Sequence, residues 1–314
     1  MTDQILKTPV LFLIFNRPLK TKSVFEKIKK VKPSKLYLAA DGHRINKFGE
    51  DLICQECREI VLNGIDWPCE IKTLFRNENL GCGKAVSEAI SWFFYQEEEG
   101  IIIEDDVLPD ESFFYFAQEL LIKYRTNNKI LSISGSNLMG SWKANNQSYF
   151  FGTGGIWGWA TWRRAWHLYD INMQGWQDPE MKKIIKKELI TNEWYVYYYD
   201  MFEAAFTGKL DTWDVQWLYT ILINNGKTIN PCFNLTKNIG FDNKGTHTHN
   251  ASDIIENLSL MAITFPLNHP KTNNIDKDFF KYMYNKIHLI KPNHLSLIEC
   301  LKRIYSYIKR INFY

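Results

Sequence analysis

The sequence predicts an α/β protein, a mostly parallel sheet flanked by helices and followed by a C-terminal helical extension. Three observations carry that expectation. Short apolar runs alternate with amphipathic windows through residues 9–106, the pattern of strand, helix, strand. The 314 residues, 45% apolar and 23% charged, can bury a sizeable core, which excludes wholesale disorder, a collagen-like repeat and a disulfide miniprotein. Carboxylates follow directly on apolar runs, at the strand ends where such sheets gather ligands.

Val10 to Phe15 opens the pattern as a continuous apolar run. It is too short to span a membrane and lacks a small-residue cleavage site, so it reads as a buried strand and the chain is expected in the cytoplasm. Leu19 to Lys30 has helical spacing through Val24, Phe25 and Ile28, and Lys35 to Ala40 is a second strand ending in Asp41-Gly42. A helix over Asp51 to Gly64, a strand over Cys69 to Phe75 and a helix over Gly83 to Glu97 follow. Gly100 breaks that helix, and Ile101 to Ile103 is a buried strand. Beyond it come a helix from Asp110 or Ser112 to Tyr124, a strand over Ile130 to Ser134, and helical residues 181–206 with a lysine-rich solvated face.

Glu104-Asp105-Asp106 stands at the end of the Ile101 to Ile103 strand. Three adjacent carboxylates repel one another and resist burial, so they need a cation or hydrogen-bond donors nearby. Hard oxygen ligands suit Mg²⁺ or Mn²⁺; the competing reading is a solvated acidic turn before Pro109. The position at a strand's carboxyl end favours the metal. His247, in the loop Asn238 to His249, is a second candidate ligand or an ordinary loop histidine.

Aromatic residues reach 15%, with 11 Trp. Four glycines and four tryptophans crowd into Phe150 to Trp166, read either as a loop whose indoles stack on sugars or as a hydrophobic loop packed on the sheet. Asp211 and Asp214 precede a helical apolar pattern through Trp217, Leu218, Ile221 and Leu222. Only one can be the N-cap. Asp211 stands where a cap belongs, while Asp214 between Trp213 and Trp217 has the surroundings of a general base.

Six cysteines are scattered at 54, 57, 69, 82, 232 and 300. The pair Cys54 and Cys57 has no second pair at zinc spacing, so reduced thiols are expected. Net charge is +3, yet residues 281–314 hold seven Lys or Arg against Glu299, leaving the main body slightly acidic and arguing against a nucleic-acid partner. In that tail, Leu295, Ile298, Leu301, Ile304, Tyr305 and Ile308 fall at helical spacing beside Lys302, Arg303, Lys309 and Arg310. Such a helix either lies on an anionic membrane or packs on the domain.

These parts, in this order, resemble the nucleotide-sugar-dependent glycosyltransferases of the GT-A (Rossmann-like) fold, and in particular the family of the Golgi N-acetylglucosaminyltransferase that initiates complex N-glycans. The resemblance runs from about residue 9 to 250 and rests on Asn16-Arg17, Pro33-Ser34, Asp41-Gly42, the strand ending in Glu104-Asp105-Asp106 with Ser112-Phe113-Phe114 after it, Gly158-Trp159, Trp213-Asp214 and the Gly240 to His247 loop. It implies a catalytic domain over 1–250, with a nucleotide-binding part (1–135) and an acceptor part (136–250), and a helical extension over 251–314. Arg17 and Asp41 would hold the nucleotide, Glu104 and Asp105 the ribose and donor sugar, Asp106 the metal, and Asp214 would be the base of an inverting transfer. Trp157, Gly158 and Trp159 would border the donor sugar. The family has two adjacent acids after the tryptophan, whereas Val215 follows Asp214 here, which leaves Asp211 as the alternative base. Asn77 to Lys84 looks more like bacterial glycosyltransferases and brings Lys84 to the nucleotide.

The implied cofactor is Mn²⁺ or Mg²⁺, and the implied partners are a nucleotide-diphosphate sugar and a glycan, lipid-linked or protein-linked acceptor. Two other classes compete. A sugar nucleotidyltransferase would carry a glycine-rich loop after the first strand, where this chain has Asn16-Arg17-Pro18-Leu19, and a noncatalytic carbohydrate-binding protein would not require Asp106.

Overall fold

The computed structural model describes residues 6–240 and 257–288. Its main sheet has eight strands in the order β3-β2-β1-β4-β8-β6-β9-β7. The first four are β1 (Val10–Ile14), β2 (Lys35–Ala40), β3 (Glu70–Phe75) and β4 (Glu99–Glu104); the others are β6 (Ile130–Ser134), β7 (Tyr149–Gly152), β8 (Trp159–Trp162) and β9 (Lys227–Pro231). β3, β2, β1 and β4 run parallel, β8 opposes both β4 and β6, β9 follows β6 in parallel, and β7 closes the far edge antiparallel. Six of the eight strands thus point the same way. Between them run α1 (Pro18–Val31), α2 (Glu50–Gly64), α3 (Cys82–Gln96) and α4 (Glu111–Tyr124). The fold is α/β, a mostly parallel sheet flanked by helices.

Burial explains the apolar runs. Every residue of β1 is buried, as a strand covered on both faces requires. Side chains alternate across the sheet: Val10, Phe12 and Ile14 join Ile101 and Ile103 beneath α1 and α4, while Leu11, Leu13 and Ile102 pack against Ile90, Phe93 and Phe94 of α3.

Phe150 to Trp166 is not one loop. It supplies part of β7, all of β8 and the short α5 (Arg163–Trp166), because Trp159, Ala160 and Trp162 are buried and pair in the sheet. Residues 181–206 form two helices, α6 (Pro179–Glu188) and α7 (Asn192–Phe206), broken where Ile190 takes a φ of 69° and Thr191 caps the second. α8 (Asp214–Ile223) follows, and a small antiparallel pair joins β5 (Val107–Pro109) to β10 (Thr236–Asn238).

Residues 1–135 and the residues after them share one sheet, since β8 lies between β4 and β6. Of the extension expected to be helical, residues 257–276 are not. They cross β7 and the start of α4 through Asn268 on Ser148 and Ile263 on Ser112, and among the described residues of the extension only α9 (Lys277–His288) is helical, seating Phe279 and Phe280 against Phe150 and Trp194. His247 and the apolar pattern from Leu295 to Ile308 lie outside the described residues. Among the described residues no helix is long and apolar enough to cross a membrane. Cys54 and Cys57 are buried free thiols on α2, and burial pushes them up to about 12 and about 11.

Candidate active site

The carboxyl ends of β1, β2 and β4 open on one side of the sheet, and the chain places a charged residue just beyond each. Beyond β1, the Phe15 N–H donates to Asp105 Oδ2 at 3.1 Å. The Arg17 guanidinium donates to Asp106 Oδ2 at 2.6 Å and reaches Asp105 Oδ1 at 3.4 Å. Arg17 thereby binds the two acids that follow β4, and they hold its own charge firmly despite burial. Pairing of β5 with β10 brings in the next segment: the Ile239 N–H donates to the Asp106 carbonyl at 2.7 Å, and Lys20 Nζ reaches the Gly240 carbonyl at 3.4 Å. A Cβ at Gly240 would stand 2.5 Å from Asp106 Oδ2, so a larger residue there would displace that carboxylate.

Glu104 is the least settled carboxylate. Burial pushes its proton affinity well above the usual range, and Asp106, Asp214 and Asp105 push it further while Arg17 opposes. Asp105 is raised to about 6 by burial, with Arg17 pulling the other way. Cys82 stands at the start of α3 near these acids; desolvation raises its thiol, and Glu104, Asp214, Asp211 and Asp106 all add to the rise. Four carboxylates from two separate segments, the end of β4 and the start of α8, therefore stand near one thiol.

Asp214 enters on the first turn of α8. Its Oδ1 accepts a short hydrogen bond from Thr212 Oγ1, and the aromatic stack behind it is fixed: Trp159 lies 5.5 Å from Trp213 at 20°, and Tyr169 donates to the Trp213 carbonyl at 3.2 Å. Trp159 is fully buried, as are Trp162 and nearly so Trp166. The sugar-stacking expectation fails for these three rings; Trp159 is a prop for the helix that carries Asp214. Trp157 is half-buried, and Gly158 at φ 64° packs so closely that a Cβ would meet Thr236 at 2.7 Å.

Asp211 does not cap α8. Trp213 is the residue before that helix, and it makes no side-chain cap. Asp211 instead reaches across to α3, accepting from the Cys82 N–H at 2.9 Å and the Gly83 N–H at 2.8 Å. It caps a helix 129 residues earlier in the chain, where the exposed N–H groups and the positive helix end both favour a carboxylate. The preceding Gly81, at φ 80°, allows this approach, since a Cβ would stand 2.5 Å from Asp211 Oδ2.

Asp41 is enclosed by donors: the Gly42 N–H at 3.0 Å, the Leu80 N–H at 3.0 Å and Asn79 Nδ2 at 3.0 Å. Burial raises its proton affinity in spite of them. It shapes the loop after β3, which Gly42 admits because a Cβ would come within 2.4 Å of the Glu78 backbone. Lys84 lies exposed on α3 beside Glu88 at 3.8 Å. The structure thus joins Arg17, Glu104, Asp105, Asp106, Asp211 and Asp214 in one neighbourhood and sets Lys84 at its rim. Sequence reasoning missed Thr212 and Tyr169; neither lies in a motif, and their roles come from packing between segments.

Among the described residues, no three His, Cys, Asp or Glu side chains enclose a metal site by themselves. The donor set suits an ion that takes one or two carboxylates and draws its remaining ligands from phosphates and water, as Mg²⁺ commonly does. Burial first, and then the neighbouring Asp106, Asp214 and Asp105, disfavour the charged form of Glu104, which a cation would favour.

No family model matches the chain, and no curated protein matches it. Solved structures similar to it include a UDP-glucose pyrophosphorylase complexed with UDP-glucose, with 11% identity over 72% of this chain and 90% of that one and a TM-score of 0.35. S. aureus TarS 1-349 has 9% identity over 72% of this chain and 58% of that one, with a TM-score of 0.37. Mouse xyloside xylosyltransferase 1 has 10% identity over 68% and 81%, with a TM-score of 0.31.

Proposed function

We propose that the protein is a GT-A-type glycosyltransferase, moving a hexosyl or N-acetylhexosaminyl group from a nucleotide-diphosphate sugar to an acceptor hydroxyl with inversion, in glycan or glycoconjugate assembly. The observation that carries this reading is the convergence of Arg17, Glu104, Asp105 and Asp106 at the strand ends with Asp214 brought in from α8. Asp106, with Glu104 beside it, would hold Mn²⁺ or Mg²⁺; when bound, the ion supplies the positive charge that stabilises a leaving diphosphate. Arg17 fixes the Asp105 and Asp106 carboxylates in place for that task.

Asp214 takes the proton. As the acceptor oxygen bonds to the anomeric carbon, the bond from that carbon to the phosphate oxygen breaks, the diphosphate leaves with the electron pair, and the hydroxyl proton passes to the Asp214 carboxylate. Thr212 already occupies Oδ1, which leaves Oδ2 to face the acceptor. The buried Trp159 and Trp213 hold the helix start rigid behind it.

The test is a panel of uridine and guanosine diphosphate sugars, assayed with Mn²⁺ and with chelator. Metal-dependent release of nucleoside diphosphate is expected. Full activity in chelator removes the metal, formation of nucleoside triphosphate from pyrophosphate would make the protein a nucleotidyltransferase, and absence of nucleotide binding by calorimetry would leave a noncatalytic carbohydrate-binding protein.

A further inference from the structure

A cavity of about 90 Å³ stands where α7, α8 and α9 meet the segment between β7 and β8. Its walls are apolar: Trp194 and Tyr198 come from α7, Leu218 from α8, and Phe279 and Phe280 from α9. They brace one another, since Tyr198 stacks on Trp194 at 24° with ring centres 5.6 Å apart, and Trp194 Nε1 donates to the Phe280 carbonyl at 3.0 Å. Polar side chains interrupt the apolar lining at Thr153 and Asn230. Asn230 Nδ2 donates to the Thr228 carbonyl at 3.2 Å; its oxygen and the Thr153 hydroxyl have no hydrogen-bond partner among the described residues.

Size and chemistry narrow the occupant. A water takes about 30 Å³ of liquid and a cavity of ~150 Å³ takes a benzene ring, so this one admits a substituent of a few heavy atoms and not a pyranose ring. No charged side chain among the described residues lines it, which disfavours a carboxylate or a phosphate. A bare methyl would leave Asn230 and Thr153 unpaired, and a hydroxymethyl would leave the rings without an apolar contact. An acetamido group meets both demands, with a methyl for the rings and an amide for the Asn230 and Thr153 side chains.

The cavity adjoins the proposed base. Leu218 lies one turn after Asp214 on the same side of α8. Burial raises the Tyr198 phenol, and Tyr197 and then the Asp214 charge add to the rise, which puts Asp214 within electrostatic reach of the cavity wall. The strand that carries Asn230, β9, stands three places from β4 in the sheet, roughly 14 Å at ~4.8 Å per strand. The cavity is thus set apart from the acids that follow β4 and from Arg17. We infer that it seats the acetamido group of the acceptor, so that the acceptor is an N-acetylated amino sugar whose hydroxyl is presented to Asp214. The inference rests on the reading of Asp214 as the base.

The test is saturation-transfer NMR on the full chain, with Mg²⁺ and uridine or guanosine diphosphate present. The probes are the methyl glycosides of N-acetylglucosamine, N-acetylgalactosamine and N-acetylmannosamine, beside those of glucose, galactose and mannose. At least one acetamido glycoside should bind about tenfold or more tighter than its parent, with its acetyl methyl taking the strongest saturation. Leu138→Phe, which fills the cavity, and Asn230→Leu, which removes its amide, should each bring that preference to about twofold or less. Thermal melts show which variants fold, and one folded variant is enough to decide. The inference is overturned if no glycoside binds, if acetamido and parent glycosides bind alike, or if the folded variants keep the preference. It is equally overturned if the preference appears only among nucleotide-diphosphate sugars and falls with these variants, since the donor would then be the occupant. Failure of the transfer reading shows elsewhere, as absent release of nucleoside diphosphate from the donor panel, whatever the glycosides do.

Discussion

Asp211 and Asp214 stand three residues apart and have different partners, Asp211 the N–H groups at the start of α3 and Asp214 the Thr212 hydroxyl. Asp214→Asn keeps the shape but cannot accept a proton, so transfer to acceptor should fall by roughly 10² to 10⁴ while the melting temperature holds. Asp211→Ala should lower stability by about 1 kcal/mol through the lost cap, with near-normal affinity for the donor. Kinetics and thermal melts of the two variants check this pair; an exchange of phenotypes would make Asp211 the base. The sequence made both acids visible but gave Asp211 the wrong helix, expecting it to cap α8. It could not show which helix Asp211 caps, because that partner, the Cys82 and Gly83 N–H pair, is distant in the chain and close only in the fold. Glu104 to Asp106 was legible for the opposite reason: charge behind three isoleucines is a local anomaly that needs no knowledge of topology.

At the scale of an element, the start of α2 depends on one carboxylate. Burial alone would raise the proton affinity of Glu50, but Arg44 and Asn16 outweigh it and hold the group below its ordinary value. A depressed carboxylate contributes stability that is present above about pH 4.5 and is lost as pH falls through the folded value. Glu50→Gln should therefore flatten the acid limb of a stability-against-pH curve and cost about 2 kcal/mol near neutrality, because Arg44 loses its buried partner. Denaturant titrations across that range measure both effects. Helices and strands with clean periodicity, such as α1, β2 and β4, were readable within a few residues. β8 was not, since Trp and Gly in close succession suggest a binding loop, and only its place between β4 and β6 shows why the indoles are there. The break between α6 and α7 was hidden too, because helical spacing continues through Ile190 even though its backbone does not.

Across the whole molecule, the aromatic surplus is spent inside. Trp162 Nε1 donates to the Leu121 carbonyl at 3.1 Å, whereas Trp217 Nε1 has no hydrogen-bond partner among the described residues. Both are buried, so Trp162→Phe should cost more than Trp217→Phe by about 1 kcal/mol, as chemical denaturation of the two variants would show. The strand order bears on synthesis as well. A nascent chain can pair β1 with β2 and β4 as soon as residue 104 is free of the ribosome, but the strand that covers the other edge of β4 begins at Trp159. For the making of about 55 residues, a few seconds at ~5–20 residues per second, the three isoleucines of β4 present an open edge to solvent. Chains arrested near residue 135 should crosslink to ribosome-associated chaperones, and chains arrested well beyond α5, with β8 outside the exit tunnel, should largely be released. Translation speed across that interval, more than the stability of the finished sheet, would then set how much of the protein is recovered in usable form.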